Sequence, residues 1–255
     1  MSEAEKAKSE KTVGALVAGL KVLRYMSRMG EPVGVSRVAK DLSISPSTCF
    51  SLLRTLVHEN LLSFHEQAKT YSVSSGLLEL TRGALERDLP LRFVKEKMSR
   101  VTSDHRVTTM LFKVLDHRRV ILVDRVDADV ALRVHISVGQ RLPMYIGALG
   151  RCFAGFGEID RESLYKRFKE LRWESPPSFE EFISDAEGAK GLGFAVDRDN
   201  FTNGITTAAA PILDADKRPV AVVSAIGFSG QLGDDTLVAL GEALRDCTAE
   251  ASEWF

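Results

Sequence analysis

The pattern that most constrains the fold lies in residues 35–61, where the start signals of two short helices are separated by a tight turn. Ser36 is predicted to cap the first helix, and the dipeptide Ser43-Ile44 to form the turn. Ser45 then occupies an N-cap position, and Pro46 follows at the first helical position, where its missing N–H is not needed. Two helices joined this closely are typical of a helix-turn-helix.

The second of these helices is predicted to have one buried and one exposed face. Apolar residues recur along it at helical spacing and should face a core: Cys49, Leu52, Leu53, Leu56 and Val57. Small hydroxyls, an aromatic ring and an arginine occupy the opposite face: Ser47, Thr48, Phe50, Ser51 and Arg54. A helix with small polar side chains in its first turn and an arginine in its middle suits insertion into the major groove of DNA.

The flanking segments extend the two helices to a winged helix, which we place at residues 12–74. An amphipathic helix is predicted to start near Val13 and to end near Gly30. Residues 61–73 read as a hairpin whose polar turn, at residues 66–69, puts Lys69 at the tip, where it could meet a phosphate. The residues that we expect to contact DNA are Ser45, Ser47, Thr48, Phe50, Ser51, Arg54 and Lys69.

Two of these side chains have more than one interpretation. Arg54 could read a guanine edge or contact a phosphate, and its depth along the helix favours the phosphate at least as much. Phe50 could touch a thymine methyl or pack under the wing.

The charge distribution supports a DNA-binding N-terminal part, although the 255-residue chain has a net charge of only −1. Residues 12–74 contain seven Lys/Arg and four Asp/Glu, a surplus of three positive charges. Three scattered cysteines without a CxxC pair are typical of reduced core residues in a cytoplasmic protein. The N-terminus lacks the apolar segment of a secretion signal, and residues 1–11 are predicted to be a disordered tail. No apolar run approaches the ~20 residues that span a bilayer.

Beyond the wing, the sequence predicts a connecting helix at residues 75–90 and a second domain of mixed type at residues 91–255. A hairpin is predicted from VTTMLFKVL and VILVDRV, with a third strand from VALRVHI. The remaining predicted elements are helices at 91–105, 147–157, 161–172 and 179–190, strands at 206–213 and 218–228, and a helix from about Asp234. A strand meander with helices packed on one side indicates an α+β sensor fold of PAS/GAF type, with an antiparallel sheet.

Three segments of the chain, in the same order, resemble the IclR family of bacterial transcriptional regulators. LSISPSTCFSLLRTL is similar to the family's recognition helix, VGQRLPMYIGALGRCFAG to its strand-to-helix signature, and GFAVDRDNFTNGITTAAAPILDADKRPVAVVSAIGF to its late-strand block. Some positions depart from the family pattern. Ser51 stands where many members have arginine, Asp199-Asn200 replaces a paired Glu, Thr207 aligns with a common pocket cysteine, and Ser224-Ala225-Ile226 replaces a Ser-x-Ser.

The resemblance implies an effector pocket in the second domain. Asp197, Thr207 and Ser224 match ligand-contacting positions of the family, and hydroxyls beside a carboxyl can hydrogen-bond an oxygenated ligand. The turn at residues 147–150 exposes backbone N–H groups at a helix N-terminus, where a carboxylate binds well. This combination favours an organic acid, aromatic acids included, although Asp197 would repel it unless protonated or bonded elsewhere. The residues expected at the pocket are Val134, His135, Gly147, Ala148, Leu149, Asp197, Thr207 and Ser224, and His135 could instead be satisfied structurally.

No signature of an enzyme, a metal site or a cofactor accompanies these features. Residues 227–230 lack the GxSxG spacing of a nucleophile elbow, and the GxxGxG at residues 188–193 has neither Rossmann nor Walker spacing. The five histidines show no HxH or HExxH spacing. We therefore expect a DNA-binding repressor or activator, without enzymatic activity, that grips a pseudo-palindromic operator as a homodimer or a dimer of dimers. The alternative is an architectural DNA-binding protein with a vestigial second domain and no effector.

Overall fold

The computed structural model describes residues 13–77, 79, 80 and 89–253, and contacts within the chain divide it between residues 88 and 89 into two units. The tail predicted at residues 1–11 and most of the connecting helix predicted at residues 75–90 lie outside the described residues. The described part of that connecting segment is helical at residues 76, 77, 79 and 80.

The N-terminal unit packs helices against a small antiparallel sheet. Its elements are α1 (Gly14–Met29), β1 (Val33–Gly34), α2 (Val35–Asp41), α3 (Pro46–His58), β2 (Leu62–His65) and β3 (Thr70–Val73). The strand order is β1-β3-β2. Helices and sheet enclose an apolar core that includes Val22, Val38, Cys49, Leu53 and Tyr71. The predicted winged helix, with its hairpin and its buried Cys49, is confirmed.

The start of α2 differs from the prediction. The helix begins at Val35, and Gly34 holds the N-cap position without a side-chain cap, so the prediction that Ser36 caps this helix is wrong. The reason is β1, which the sequence did not indicate. Gly34 pairs with Thr70 of β3, and this pairing keeps the chain extended up to the residue at which the helix begins.

One side of α1 is apolar and exposed. Its inward residues Val22 and Met26 are buried, and Gly30, with a left-handed φ of 65°, ends the helix as predicted. At the other side, Val13 and Leu16 are 67% and 62% exposed. Four exposed apolar residues form what we call the α1 stripe: Val13, Leu16, Val17 and Leu20.

The C-terminal unit is an antiparallel sheet covered by helices. Its helices are α4 (Leu89–His105), α5 (Gly147–Phe156), α6 (Arg161–Lys169), α7 (Phe179–Leu192) and α8 (Asp234–Ser252). Its strands are β4 (Thr108–Asp116), β5 (Arg119–Val126), β6 (Arg141–Pro143), β7 (Ala195–Arg198), β8 (Ile205–Leu213) and β9 (Pro219–Phe228). They form one sheet in the order β6-β5-β4-β9-β8-β7. The predicted α+β architecture with an antiparallel sheet is confirmed.

Helices lie on both faces of this sheet, so the prediction of helices on one side is wrong. On β8, Ala208 and Ala210 join the core beneath α4 and α8, whereas Ala209 joins the core beneath α5, α6 and α7. The central strands are apolar at nearly every position, and a sheet that is apolar on both faces must be covered on both. The face beneath α5, which we call the α5 face, carries the candidate site.

The predicted third strand at residues 130–136 is also wrong, because this segment is a loop. The edge position beside β5 belongs to β6, where Arg141 pairs with Ile121. The Ile136 carbonyl accepts a hydrogen bond from Arg125 Nη1 at 2.5 Å. The Arg125 side chain therefore uses a carbonyl group that a strand at residues 130–136 would need for hydrogen bonds to a neighbouring strand. Conversely, β7 was not predicted as a strand.

Candidate DNA interface and effector site

The first turn of α3 is held by its own hydroxyl groups. Ser45 Oγ accepts a hydrogen bond from the backbone N–H of Thr48 at 3.2 Å and donates one to Thr48 Oγ1 at 2.8 Å. Ser47 Oγ lies 3.2 Å from Ser45 Oγ. The predicted cap by Ser45, with Pro46 after it, is confirmed. It fixes the direction in which the exposed hydroxyls of this turn leave the helix.

The middle of α3 presents an aromatic ring and a guanidinium group to solvent. Phe50 is 47% exposed, and the guanidinium carbon of Arg54 lies 5.9 Å from the centroid of its ring. Ser51 is exposed on the same helix. Phe50 is therefore not buried under the wing, where Phe64 packs on Tyr71 with ring centroids 4.8 Å apart. Phe50 and Arg54 thus form one exposed surface that can contact DNA.

The tip of the wing adds a second positive group. Lys69 is exposed, has a left-handed φ of 53°, and its Nζ lies 5.8 Å from the centroid of the Phe64 ring. Phe64 is itself partly exposed and was not among the predicted DNA contacts. The signal that could have identified it is an aromatic residue in a strand of only four residues beside a lysine turn.

In the C-terminal unit, the start of α5 meets two strands of the sheet. Gly147 begins the helix with a left-handed φ of 59°, and a Cβ at this position would lie 3.7 Å from Thr207 Oγ1 and 3.9 Å from Asp197 Oδ2. Asp197 and Thr207 are register partners on β7 and β8. The structure therefore brings together three of the residues that the sequence predicted for the effector site.

The donors at this place are suited to an anion. The N–H groups of residues 147–149 have no acceptor within the helix and lie at the positive end of its dipole, whereas the Gly150 N–H donates to the Ile146 carbonyl at 2.8 Å. Thr207 is only half-buried, and its hydroxyl makes no side-chain hydrogen bond with the residues that the structure describes. Backbone N–H groups and one uncommitted hydroxyl can together hold a small carboxylate.

Arg151, which the sequence analysis did not select, holds this site together. Its side chain is 2% exposed and that of Asp197 is 1% exposed, and Nη1 donates to Asp197 Oδ1 at 2.5 Å. Nε donates to Asp185 Oδ2 at 2.9 Å, and Nη2 donates to Asn200 Oδ1 at 2.8 Å. Asp197 is thus bonded elsewhere, and it shares the single positive charge of Arg151 with Asp185. The available signal was an arginine among the small and apolar residues of a buried helix.

The remaining predicted pocket residues fall into two groups. Ala148 and Leu149 are buried, and half-buried Val134 packs into the same core. Ser224 lies on the α5 face, but its hydroxyl donates to the Ala208 carbonyl at 3.1 Å. His135 is exposed on the loop, and its contacts in the structure are with Arg125 and Ser137. The structure thus places Ala148, Leu149 and Val134 in the core on the α5 face, whereas His135 contacts Arg125 and Ser137 instead.

The three thiol groups are buried. Burial raises the pKa of Cys49 above its ordinary value, and it raises the pKa of Cys152 and of Cys247 to about 12.

No group of three or more His, Cys, Asp or Glu side chains suited to a metal ion occurs within the described residues. In the same part of the chain, no helix is long and apolar enough to cross a membrane.

Family models match both units of the chain. The model of the IclR helix-turn-helix domain matches residues 15–66, and that of the bacterial transcriptional regulator IclR C-terminal region matches residues 90–253. The HTH-type transcriptional repressor AllR of Escherichia coli K12 is 23% identical over 249 residues, which cover 96% of this chain and 91% of AllR.

Solved structures share the fold. The IclR transcriptional regulator of Alicyclobacillus acidocaldarius has a TM-score of 0.81 at 24% identity, with 95% of this chain and 99% of that chain covered. An IclR homolog of Microbacterium hydrocarbonoxydans, complexed with 4-hydroxybenzoate, has a TM-score of 0.76 at 20% identity, with coverage of 94% and 98%. With winged helix, sensor-type sheet and both family regions present, this chain belongs to the IclR family of bacterial transcriptional regulators, which are DNA-binding proteins and not enzymes.

Proposed function

We propose that this regulator binds its operator through α3 and the wing, and that a small organic acid bound at the start of α5 changes its affinity for the operator. The observation that carries the proposal is the convergence of Gly147, Thr207 and the Arg151–Asp197 ion pair on the α5 face. Backbone donors at the helix N-terminus and the Thr207 hydroxyl lie beside a carboxylate that is already hydrogen-bonded to a buried guanidinium group.

The preference for an acid follows from the chemistry of these groups. Backbone N–H groups at a helix N-terminus and the Thr207 hydroxyl stabilise a carboxylate, while Ala148, Leu149 and Val134 offer apolar contacts to the body of the ligand. An aromatic monocarboxylate has both parts. The 4-hydroxybenzoate bound by the Microbacterium homolog supports this class of ligand.

For the DNA-binding part, we propose contacts from Ser47, Thr48, Phe50, Ser51, Arg54 and Lys69, with Ser45 acting mainly as the cap that orients them. The working division assigns residues 12–74 to DNA binding, residues 75–90 to the connection and residues 91–255 to the effector. Two copies would match the symmetry of a pseudo-palindromic operator, and the exposed α1 stripe supplies apolar surface for a homodimer or a dimer of dimers.

Operator binding is tested by fluorescence anisotropy with DNA from upstream of the protein's own gene and a scrambled duplex of the same composition. Both are titrated at two salt concentrations. We expect the preference for the native fragment to persist at the higher salt, because base contacts depend less on counterion release than phosphate contacts do. If the protein binds this fragment and every other upstream fragment no more tightly than the matching scrambled duplex, it is not a sequence-specific regulator.

The effector is tested with pairs of ligands that differ only in charge. Benzoate and 4-hydroxybenzoate are compared with benzyl alcohol and 4-hydroxybenzyl alcohol, by thermal shift of the protein and by anisotropy of the operator complex. We expect an acid to raise the melting temperature and change operator affinity, whereas its alcohol does neither. If no acid in a wider panel of carboxylates changes either quantity, the architectural alternative is favoured.

A further inference from the structure

A cavity in the C-terminal unit lies at the outer edge of the sheet. It has a volume of about 700 Å³ and lies between the β4–β5 turn, β6 and α6. Its charged lining consists of Asp116, His117, Arg118, Arg119, Arg141, Arg167 and Glu170. Four arginines face two carboxylates, so the lining has a surplus of two positive charges with His117 neutral.

Both carboxylates of the lining are already engaged. Glu170 accepts a hydrogen bond from the Arg118 guanidinium. Asp116 accepts one from the backbone N–H of Arg118 at 2.8 Å, and this bond holds the pKa of the Asp116 carboxyl below its usual value. Neither carboxylate forms an ion pair with the other three arginines of the cavity, although the charge of Arg119 also lowers the pKa of Asp116.

Those three arginines have no carboxylate within 4 Å in the part of the chain that the structure describes. Arg119 and Arg141 lie on the neighbouring strands β5 and β6 and are exposed. Arg167 donates to the His117 carbonyl, and its guanidinium carbon lies 5.8 Å from the centroid of the Tyr145 ring. Three guanidinium groups thus line one concave surface, and none of them forms an ion pair with a described carboxylate.

We propose that this cavity binds a small molecule with two or more negative charges, of the phosphorylated or polycarboxylic class. A guanidinium group forms paired hydrogen bonds with a phosphate or a carboxylate, and three of them match a ligand with several such groups. The volume lies within the range of small-molecule sites and exceeds what one inorganic ion needs. Leu142, Met144 and Leu171 also line the cavity and offer apolar contact to the carbon skeleton of the ligand.

The cavity is distinct from the proposed effector site but close to it along the chain. Tyr145 lines the cavity, and a Cβ on Gly150 of α5 would lie 2.1 Å from the Tyr145 carbonyl carbon. The wall of the polyanion cavity therefore packs directly on the backbone of the helix that begins at the effector site.

The test is isothermal titration calorimetry of the full chain with pyrophosphate, citrate and acetate at matched ionic strength. Matching is needed because any cluster of arginines attracts anions in low salt. We expect pyrophosphate, citrate or both to bind and acetate not to bind. Binding of pyrophosphate alone indicates the phosphorylated class, and binding of citrate alone indicates the polycarboxylic class. Absence of binding by both probes overturns the proposal.

The site is located with a double variant and a charge-matched control. Arg119→Gln with Arg141→Gln should weaken binding of the probe by at least about tenfold, since each lost pair of charge-assisted bonds is worth that much. Arg100→Gln with Arg161→Gln removes the same charge from exposed arginines paired with Glu96 and Glu180. Equal weakening in this control overturns the proposal, because the effect then comes from net charge alone.

Light scattering and circular dichroism on both double variants complete the test. The proposal is supported if the Arg119/Arg141 variant keeps the fold and the oligomeric state of the parent but binds the probe more weakly. A change of oligomeric state in the cavity variant without any loss of probe affinity overturns the proposal and identifies the arginines as part of an interface between copies of the chain.

Discussion

The exposed side of α3 and the start of α5 are built in opposite ways. On α3, Phe50 and Arg54 extend into solvent from a helix whose cap and buried face come from residues a few positions away. At the start of α5, the site depends on a buried arginine that joins α5, α7, β7 and the segment after it. Side chains on the exposed side of α3 can be substituted without disturbing the fold, whereas those at the start of α5 cannot. Substitutions on α3 should therefore change binding but not stability, and substitutions at the start of α5 should change both.

The largest expected effect is that of Arg151→Met, which leaves the buried carboxylate of Asp197 without its partner. We expect the C-terminal unit to lose about 3–5 kcal/mol in its free energy of unfolding. Both tryptophans, Trp173 and Trp254, lie in this part of the sequence, so urea unfolding followed by tryptophan fluorescence reports on it selectively. Adding Asp197→Leu should restore part of the loss, because the unpaired charge is removed as well. A loss below about 1 kcal/mol would contradict the importance of the ion pair.

Next in size is Gly150→Ala, which tests the close approach of α5 to the chain before it. The added Cβ would lie 2.1 Å from a backbone carbon of Tyr145, which cannot move aside as a flexible side chain could. We expect a loss of about 1–3 kcal/mol or more in the same unfolding measurement. Gly188→Ala in α7 is the control, because its Cβ would meet nothing within 4 Å, and it should stabilise by up to about 1 kcal/mol. Equal effects of both variants would show that packing at Gly150 is not limiting.

On the α3 side, Arg54→Ala should weaken operator binding by about 1–3 kcal/mol while changing stability by less than about 0.5 kcal/mol. Anisotropy titrations at matched salt measure the first quantity, and thermal unfolding measures the second. Arg100→Ala, an exposed arginine of the other unit, is the charge control. A loss confined to the native operator indicates base readout, and a uniform loss on all duplexes indicates a phosphate contact. Unchanged affinity would remove Arg54 from the proposed interface.

The smallest expected effect is that of Thr207→Val, which replaces the uncommitted hydroxyl by a methyl group of similar size. Affinity for the acid should fall by about 0.5–1.5 kcal/mol, with operator binding in the absence of the acid unchanged. The neighbouring Thr206 points to the opposite face and lies 2.9 Å from Ser229 Oγ through its own hydroxyl. Thr206→Val should therefore reduce stability and leave calorimetric binding of the acid unchanged. The reverse pattern would mean that Thr207 is structural.

The same contrast explains how much the sequence could predict. Ser45 followed by Pro46, the polar wing turn and the glycine after α1 are local signals, and the elements that they predict are present. The α2 start, the loop at residues 130–136 and the helices on both faces of the sheet depend on partners distant in the chain. β1 pairs with β3, and the Ile136 carbonyl accepts a hydrogen bond from Arg125.

For the candidate site, the resemblance identified Asp197 and Thr207, the turn at a helix N-terminus identified Gly147, and the fold brings the three together. It did not identify Arg151, because the burial of an arginine depends on acids contributed by other elements. His135 was selected as a residue of a strand, and the loop that replaces this strand ties it to Arg125. The sequence thus predicted several residues of the site, but it could not predict which distant residues each of them contacts.

The burial of the three thiols has a consequence for the response of this regulator to oxidants. Oxidants and electrophiles react with thiolates, and burial keeps Cys152 and Cys247 protonated, with pKa values of about 12, throughout the physiological range. Cys49, within the DNA-binding core, is shielded in the same way. Treatment of the folded protein with peroxide or oxidised glutathione should therefore leave its affinity for the operator unchanged.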